Sequence, residues 1–221
     1  MTWVMTPGGK LHVGKILCLV RNYRAHAEES GQGAPSEATY FMKPSTSIIH
    51  DGEKVIAPRI AHDLQAEAEL AVVMGSTARG ISRNSSIECV LGYAVFLDIT
   101  ARNLQRSAIG DGLPWTLAKG MDTFAPVSEV RARGEVADPH DLEIRLRVNG
   151  VTRQKASTGE MIHRVPDIIA SISSHMTLQK GDILATGTPE GVPTIRPGDL
   201  LEADIEGVGQ LRIGVEAPSP P

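Results

Sequence analysis

Apolar positions along the chain fall mostly in short runs, continuous or alternating, separated by glycine, proline and Asn/Asp turns. That pattern predicts many short strands and few helices. Residues 15–20 read as an apolar strand, and residues 39–42 as another ending at Lys43-Pro44. Residues 67–74 form a strand stopped by Gly75, and residues 92–97 form one ending on Asp98. Residues 142–148 alternate Leu142, Ile144, Leu146 and Val148 against Glu143, Arg145 and Arg147, and Asn149-Gly150 then predicts a hairpin with the run from Val151. Residues 181–186 read as a strand entering a turn, and residues 200–205 and 211–215 flank a second hairpin.

Helical signals are fewer. Residues 21–30 carry Ala and Glu with a stop at Gly31. Ser85-Ser86-Ile87-Glu88 has capping-box spacing and predicts a short helix ending at Gly92. Residues 100–108 predict another. Ile168, Ile169, Ile172 and Met176, with Pro166 in the first turn, predict a helix over 166–176. Pro7-Gly8-Gly9 centres an N-terminal hairpin, while residues 31–38 and 110–114 read as loops. The expected organisation is an extension or hairpin at 1–14, a single catalytic domain at 15–216 and a flexible tail at 217–221.

Composition narrows the classes. With 221 residues, 41% apolar and 22% charged, the chain can build a sizeable core. A net charge of −4 with scattered Lys and Arg gives no sign of a nucleic-acid or membrane surface. No apolar run approaches the roughly 20 residues of a bilayer span, and the N-terminus lacks the pattern of a signal peptide. Cys18 and Cys89 both lie in apolar segments, so buried free thiols and a cytoplasmic location are expected.

The chemistry concentrates in residues 63–105. On a strand, Glu67 and Glu69 share a face, with Ala68 and Leu70 opposite. Two neighbouring carboxylates repel, and each is costly to bury alone; a divalent cation removes both problems. Asp98 offers a third carboxylate. Three carboxylates without a Cys or His cluster suit Mg²⁺, Mn²⁺ or Ca²⁺ more than zinc. Acidic pairs commonly lie on solvated faces, although the apolar flank Leu70-Ala71-Val72-Val73-Met74 is unlike an ordinary polar edge. Both readings stay open on these residues alone.

Five segments in order carry a resemblance: Asn22-Tyr23 with His26; Glu67-Ala68-Glu69; Asp98-Ile99-Thr100-Ala101-Arg102 with Gln105; Pro114 to Lys119; and Thr186-Gly187-Thr188-Pro189 with Gly191-Val192. Together they resemble the fumarylacetoacetate hydrolase superfamily, in its single-domain acylpyruvase and oxaloacetate decarboxylase branch. Val20, Gln65 and Asn103 depart from the usual pattern without removing a ligand. The resemblance implies a β-rich α+β fold, a mixed β-sandwich roll of the C-terminal-domain type with few short helices. It also implies a homodimer and a Mg²⁺ cofactor (or Mn²⁺, or Ca²⁺ in a crystal) on Glu67, Glu69 and Asp98.

The same resemblance implies a 2-oxo acid substrate, with hydrolysis of the acylpyruvate C–C bond to pyruvate and a carboxylic acid, and with oxaloacetate decarboxylation as a related activity. Both pass through a pyruvate enolate stabilised by the ion. Lys119 then adds positive charge at the enolate. His26 and Glu29, three apart on one helix face, form a base dyad on a lid helix hinged by Gly31 and Gly33. Arg102 and Gln105 bind the substrate carboxylate, or Arg102 holds a ligand Glu. Thr188, Gly187 and Lys43 are further substrate contacts. His62, close to the Glu pair in sequence, reads as a surface histidine rather than a fourth ligand. Two alternatives are an isomerase or tautomerase of 2-hydroxymuconate-type diacids, and a non-catalytic binding protein.

Overall fold

The computed structural model describes residues 2–29, 31, 33 and 35–219. The expectations for Met1, Ser30, Gln32, Ala34 and the last two residues of the tail lie outside the described residues.

Two mixed sheets organise the chain. The larger runs Arg131–Ala132, Val90–Ala101, Leu64–Met74, Ile183–Ala185, Lys15–Leu19, Tyr40–Pro44, with Thr194–Ile195 also pairing on Leu64–Met74. Its pairings are antiparallel except Ile183–Ala185 with Lys15–Leu19. The second runs Val151–Ser157, Glu143–Val148, Leu200–Ile205, Gly209–Glu216, Lys54–Ile56, and only its last pairing is parallel. Trp3–Thr6 and Gly9–His12 form the N-terminal hairpin, and Ile48–Ile49 pairs with Ala125–Pro126.

Both faces of the larger sheet are covered, which is why its central strand reads as an almost unbroken apolar run. Leu70, Val72, Leu97 and Ile99 enter the main core with Ile144, Leu146, Leu201 and Leu211 of the second sheet and Ile168, Ile169 and Ile172 of the helix Val165–Ser173. Ala71, Val73, Ala94 and Phe96 face the other way, into a smaller core with Ile16, Cys18, Ala125 and Val127. Alternation places Glu67, Glu69 and Asp98 on that second face.

The hairpin at Asn149-Gly150 forms as read, with positive φ at both turn residues (52° and 79°). The helix expected over 21–30 is Arg24–Glu29. Three readings are corrected. Ser85 is not an N-cap: the helix is Arg83–Ser86, followed by a 3₁₀ turn Ile87–Cys89, and the strand already starts at Val90. Asp98 does not end its strand, which continues to Ala101, so the next helix begins at Arg102 and runs to Gly110. Cys18 is buried as expected, but Cys89 is only half-buried. Five pieces of two or three residues (Ile48–Ile49, Lys54–Ile56, Ala125–Pro126, Arg131–Ala132, Thr194–Ile195) were not anticipated, because so few residues show no period. Among the described residues, no helix is long and apolar enough to cross a membrane.

Candidate active site

The register of the two long strands builds the site. Glu67 lies directly opposite Asp98 and Glu69 opposite Phe96, so the three carboxylates meet on one face. One oxygen from each falls within 4.8 Å of the others, and all three side chains are buried. Sequence separation hides this arrangement; the antiparallel ladder creates it.

Cations surround two of the three. The Lys119 ammonium donates to Glu67 Oε2 at 2.9 Å and to Asp98 Oδ2 at 2.5 Å. Arg102 donates to Glu67 Oε1, to Gln105 Oε1 and, through Nε, to Gln65 Oε1 at 2.7 Å. The Lys43 ammonium lies 2.7 Å from Asp98 Oδ1. Glu69 receives the Gly187 backbone N–H at 2.7 Å, and among the described residues no Lys or Arg pairs with it.

The electrostatics follow from this asymmetry. Burial works to raise the Glu67 pKa, but the Lys119 and Arg102 charges overcome it and hold the carboxyl well below its ordinary range. Burial pushes Glu69 well above its ordinary value, with the Asp98 and Glu67 charges adding to the effect. Burial works against the Lys119 ammonium, but Asp98 and Glu67 outweigh it and raise its pKa. Burial also pushes the Cys18 thiol up, followed by Asp98 and Glu69, so that thiol is kept protonated rather than nucleophilic. A third buried carboxylate with no cationic side chain beside it, facing two others, fits an oxygen-liganded divalent cation.

Glu67 and Asp98 open into an inner chamber of about 90 Å³, walled also by Arg21, His26, Phe41, Trp115 and Lys119. An outer chamber of about 400 Å³ shares His26, Arg102, Gln105 and Ile109 with it and adds Glu29 and Arg106. A groove of about 480 Å³ beside the N-terminal hairpin is larger, but contains none of the carboxylates. His26 is mostly covered, its side chain 14% exposed, and its Nδ1 lies 3.6 Å from Glu29 Oε2. That is longer than a hydrogen bond. Glu29 instead accepts the Gly191 N–H at 3.2 Å.

The profile of the fumarylacetoacetate (FAA) hydrolase C-terminal family matches residues 15–216. The chain belongs to the fumarylacetoacetate hydrolase family. It is 46% identical over 202 residues to the mitochondrial oxaloacetate tautomerase FAHD1 of Arabidopsis thaliana, covering 91% of each chain. Among solved structures, it is similar to the fumarylpyruvate hydrolase of Pseudomonas aeruginosa in complex with Mn²⁺ and pyruvate. That match has a TM-score of 0.93 at 30% identity and covers 98% of this chain and 96% of the other. It is also similar to the 5-carboxymethyl-2-hydroxymuconate delta-isomerase of Mycobacterium smegmatis, with a TM-score of 0.84 at 37% identity over 94% and 80% of the two chains. The family's enzymes thus include tautomerases, hydrolases and isomerases, and the β-rich roll with five short α-helices is the family fold.

The structure brings Glu67, Asp98, Lys119, Arg102, Gln105 and His26 to one chamber system, with Glu69 in the same buried carboxylate cluster and Glu29 at the outer wall. Of the two roles left open for Arg102, it holds Glu67. Three substrate contacts are placed differently. The Lys43 ammonium is fully buried behind Asp98 and donates to the carbonyls of Ile99, Lys119 and Phe124, so it has no donor left for a substrate. Gly187 gives its N–H to Glu69 rather than to a substrate. The Thr188 hydroxyl donates to the Ala68 carbonyl at 2.8 Å and accepts from Gln154 at 2.9 Å. His62 is exposed beside Asn103, as expected.

Two residues escaped the sequence reading. Asn22, noted only within a motif, ties the lid entry to the His163 and Thr186 carbonyls and accepts the His163 N–H. Gln154 lies in a strand whose neighbours Thr152, Arg153 and Lys155 are exposed, so nothing in the local pattern marks it as buried.

Proposed function

We propose that this chain is a divalent-metal-dependent enzyme that enolises 2-oxo acids carrying a second carbonyl group, and that its principal reaction is the keto–enol tautomerisation of oxaloacetate. The observation that carries this reading is a buried three-carboxylate cluster, two of whose members, Glu67 and Asp98, share the wall of one small chamber with an imidazole, His26. The 46% identity to an oxaloacetate tautomerase over nine-tenths of both chains supports the choice of substrate.

Glu67, Glu69 and Asp98 would hold the ion, which when bound supplies Lewis-acid polarisation of the 2-oxo group and acidifies the neighbouring C–H. Lys119 places a fixed positive charge between Glu67 and Asp98, where charge builds on oxygen as the C3 proton leaves. His26, with Nδ1 turned towards Glu29, keeps Nε2 as the base that takes the C3 proton of the keto form. The imidazolium then gives that proton to the 2-oxo oxygen to complete the enol, and when the enol reverts the imidazole takes the O–H proton and returns it to C3. Gln105 lines the passage between the two chambers and would orient the substrate carboxylate through its amide, while Arg102 holds Glu67.

A second reading, acylpyruvate hydrolysis, draws support from the likeness to a fumarylpyruvate hydrolase. There His26 would take a proton from the attacking water instead of from carbon, and oxaloacetate decarboxylation would need no such base. The deciding experiment adds the Mg²⁺- or Mn²⁺-loaded protein to freshly dissolved enol-oxaloacetate and to acetylpyruvate. Enol absorbance is followed in both, with pyruvate assayed in parallel. Accelerated enol decay of oxaloacetate without pyruvate release supports the tautomerase. Pyruvate from acetylpyruvate moves the assignment to the hydrolase, pyruvate from oxaloacetate alone moves it to the decarboxylase, and no change in either sinks both leading readings. His26→Ala is expected to lower the catalysed proton transfer by about 10²–10⁴-fold. Asp98→Ala is expected to abolish both activity and tight metal binding, measured by metal content after dialysis.

A further inference from the structure

The edge of Leu64–Met74 that faces away from Val90–Ala101 is only partly paired by strands. Thr194–Ile195 covers Gln65 and Leu64, and Ile183–Ala185 covers residues 71–73. Between them lies the stretch that carries both glutamate ligands. There the backbone finds its partners in a turn and in side chains. The Ala68 N–H donates to Gln154 Oε1 at 2.9 Å, and the Ala68 carbonyl accepts from Thr188 Oγ1 at 2.8 Å. The Leu70 carbonyl accepts from Thr186 through its N–H at 3.0 Å and its hydroxyl at 2.9 Å.

Gln154 spans this gap from the second sheet. Its Nε2 donates to Thr188 Oγ1 at 2.9 Å, to the Pro189 carbonyl at 2.8 Å and, more weakly, to the Glu190 carbonyl at 3.3 Å. The side chain is buried, with the residue 1% exposed. An amide can accept from Ala68 while its two N–H groups serve the turn, the longest contact being shared; an ionised carboxylate lacks the donor, and a thioether lacks the donor and accepts only weakly. The turn it grips also holds the ligand Glu69, through the Gly187 N–H, and the lid residue Glu29, through the Gly191 N–H. Ala68 lies between Glu67 and Glu69, so one amide fixes the backbone between two ligands to the turn that orients one of them.

We propose that Gln154 is a positioning residue of the metal centre, setting the separation between the Glu67–Glu69 strand and the turn 186–191 so that Glu69 reaches the ion together with Glu67 and Asp98. This rests on the three carboxylates being a divalent-cation site. Outer groups that orient ligands typically change metal affinity by 10–100-fold.

The test is Mn²⁺ titration followed by electron paramagnetic resonance, without substrate, alongside urea unfolding of each variant. Gln154→Met, close in volume but without the amide, is expected to weaken Mn²⁺ binding about 10–100-fold. Thr188→Val, which removes the hydroxyl joining Gln154 to the Ala68 carbonyl, is expected to weaken it about 3–10-fold, a smaller loss because Gln154 keeps its other bonds. Combined, the two are expected to fall short of the product of the single effects, because they remove one network. Ile213→Ala, a buried core truncation three strands away from Gln154 in the same sheet, controls for lost stability and should bind Mn²⁺ within about 2-fold of the wild type. Wild-type affinity in Gln154→Met overturns the proposal. If that variant does not fold, wild-type affinity in Thr188→Val overturns it instead, and so does an affinity loss in Ile213→Ala as large as that in Gln154→Met. A wild-type protein that binds no Mn²⁺ overturns the metal reading itself, and the role of Gln154 with it.

Discussion

Lys43 and Lys119 carry the same charge and meet the same carboxylate, Asp98, yet their surroundings give them different work. Lys119 spans Glu67 and Asp98 at the wall of the inner chamber. Lys43 reaches Asp98 from behind and uses its donors on three buried carbonyls. Replacing Lys43 by Met would leave a buried carboxylate short of its counter-charge and three carbonyls short of a donor. Breaking a buried pair on one side costs about 3–5 kcal/mol, so Lys43→Met should lower unfolding free energy by about that much in urea denaturation. A substrate contact would behave otherwise, raising KM at unchanged stability. Lys119→Met should abolish turnover, because the positive charge at the chamber wall is lost, and single-turnover assays would show it. Nothing in Phe41-Met42-Lys43-Pro44 or in Thr116-Leu117-Ala118-Lys119 distinguishes the two lysines. Their difference arises from which side of Asp98 each strand or helix approaches.

At the scale of elements, the site depends on the pairing of Leu64–Met74 with Val90–Ala101. A slip of one residue would move every side chain to the opposite face and separate Asp98 from Glu67. The opposite edge of Val90–Ala101 packs closely at Gly92, where a side chain would meet the Arg131 carbonyl at 2.1 Å. Overpacking of this kind costs about 1–3 kcal/mol or more, so Gly92→Ala should destabilise the protein by at least that range and displace Arg131–Ala132. Chemical denaturation measures the first effect, and hydrogen exchange at the Tyr93–Arg131 pairing the second. The Ser-x-x-Glu spacing at Ser85 misleads for a related reason: the segment sits one turn too close to the strand start at Val90, so its helix is shifted to begin after Ser82. The helix Arg24–Glu29 was legible because local composition decides it, whereas its orientation towards the chamber is fixed by Asn22, held by His163 and Thr186 from distant parts of the chain.

The whole molecule folds around buried charge, and metal should therefore stabilise it. An ion that binds only the folded state stabilises it by about 2.7 kcal/mol at a concentration 100 times its Kd. For a chain of this size that corresponds to roughly 5–10 °C in Tm. Thermal unfolding with excess Mn²⁺ and with EDTA should differ by about that amount, and the difference should vanish in Asp98→Ala. No difference in the wild type would argue that the Lys119, Arg102 and Lys43 cations balance the three carboxylates on their own.

Local order in the sequence determined a good deal of this. Alternation and turn residues specified the long strands, the Asn149-Gly150 hairpin and the helix around Pro166, because periodicity and backbone preference act within a few residues. Motif order was enough to name the family and to single out Glu67, Glu69 and Asp98, which the structure gathers into one cluster. The tertiary structure alone decided which polar groups are already engaged. Lys43, Gly187 and Thr188 look available in one dimension, yet burial obliges each to satisfy a neighbour: Asp98 and three carbonyls, Glu69, and Ala68. Gln154 is the converse case, a polar residue among exposed ones, made central because an unpaired stretch of strand comes to rest against it. The physical reason is the same in both directions: a buried donor or acceptor must find a partner, and which partner is near is settled by strand order and register.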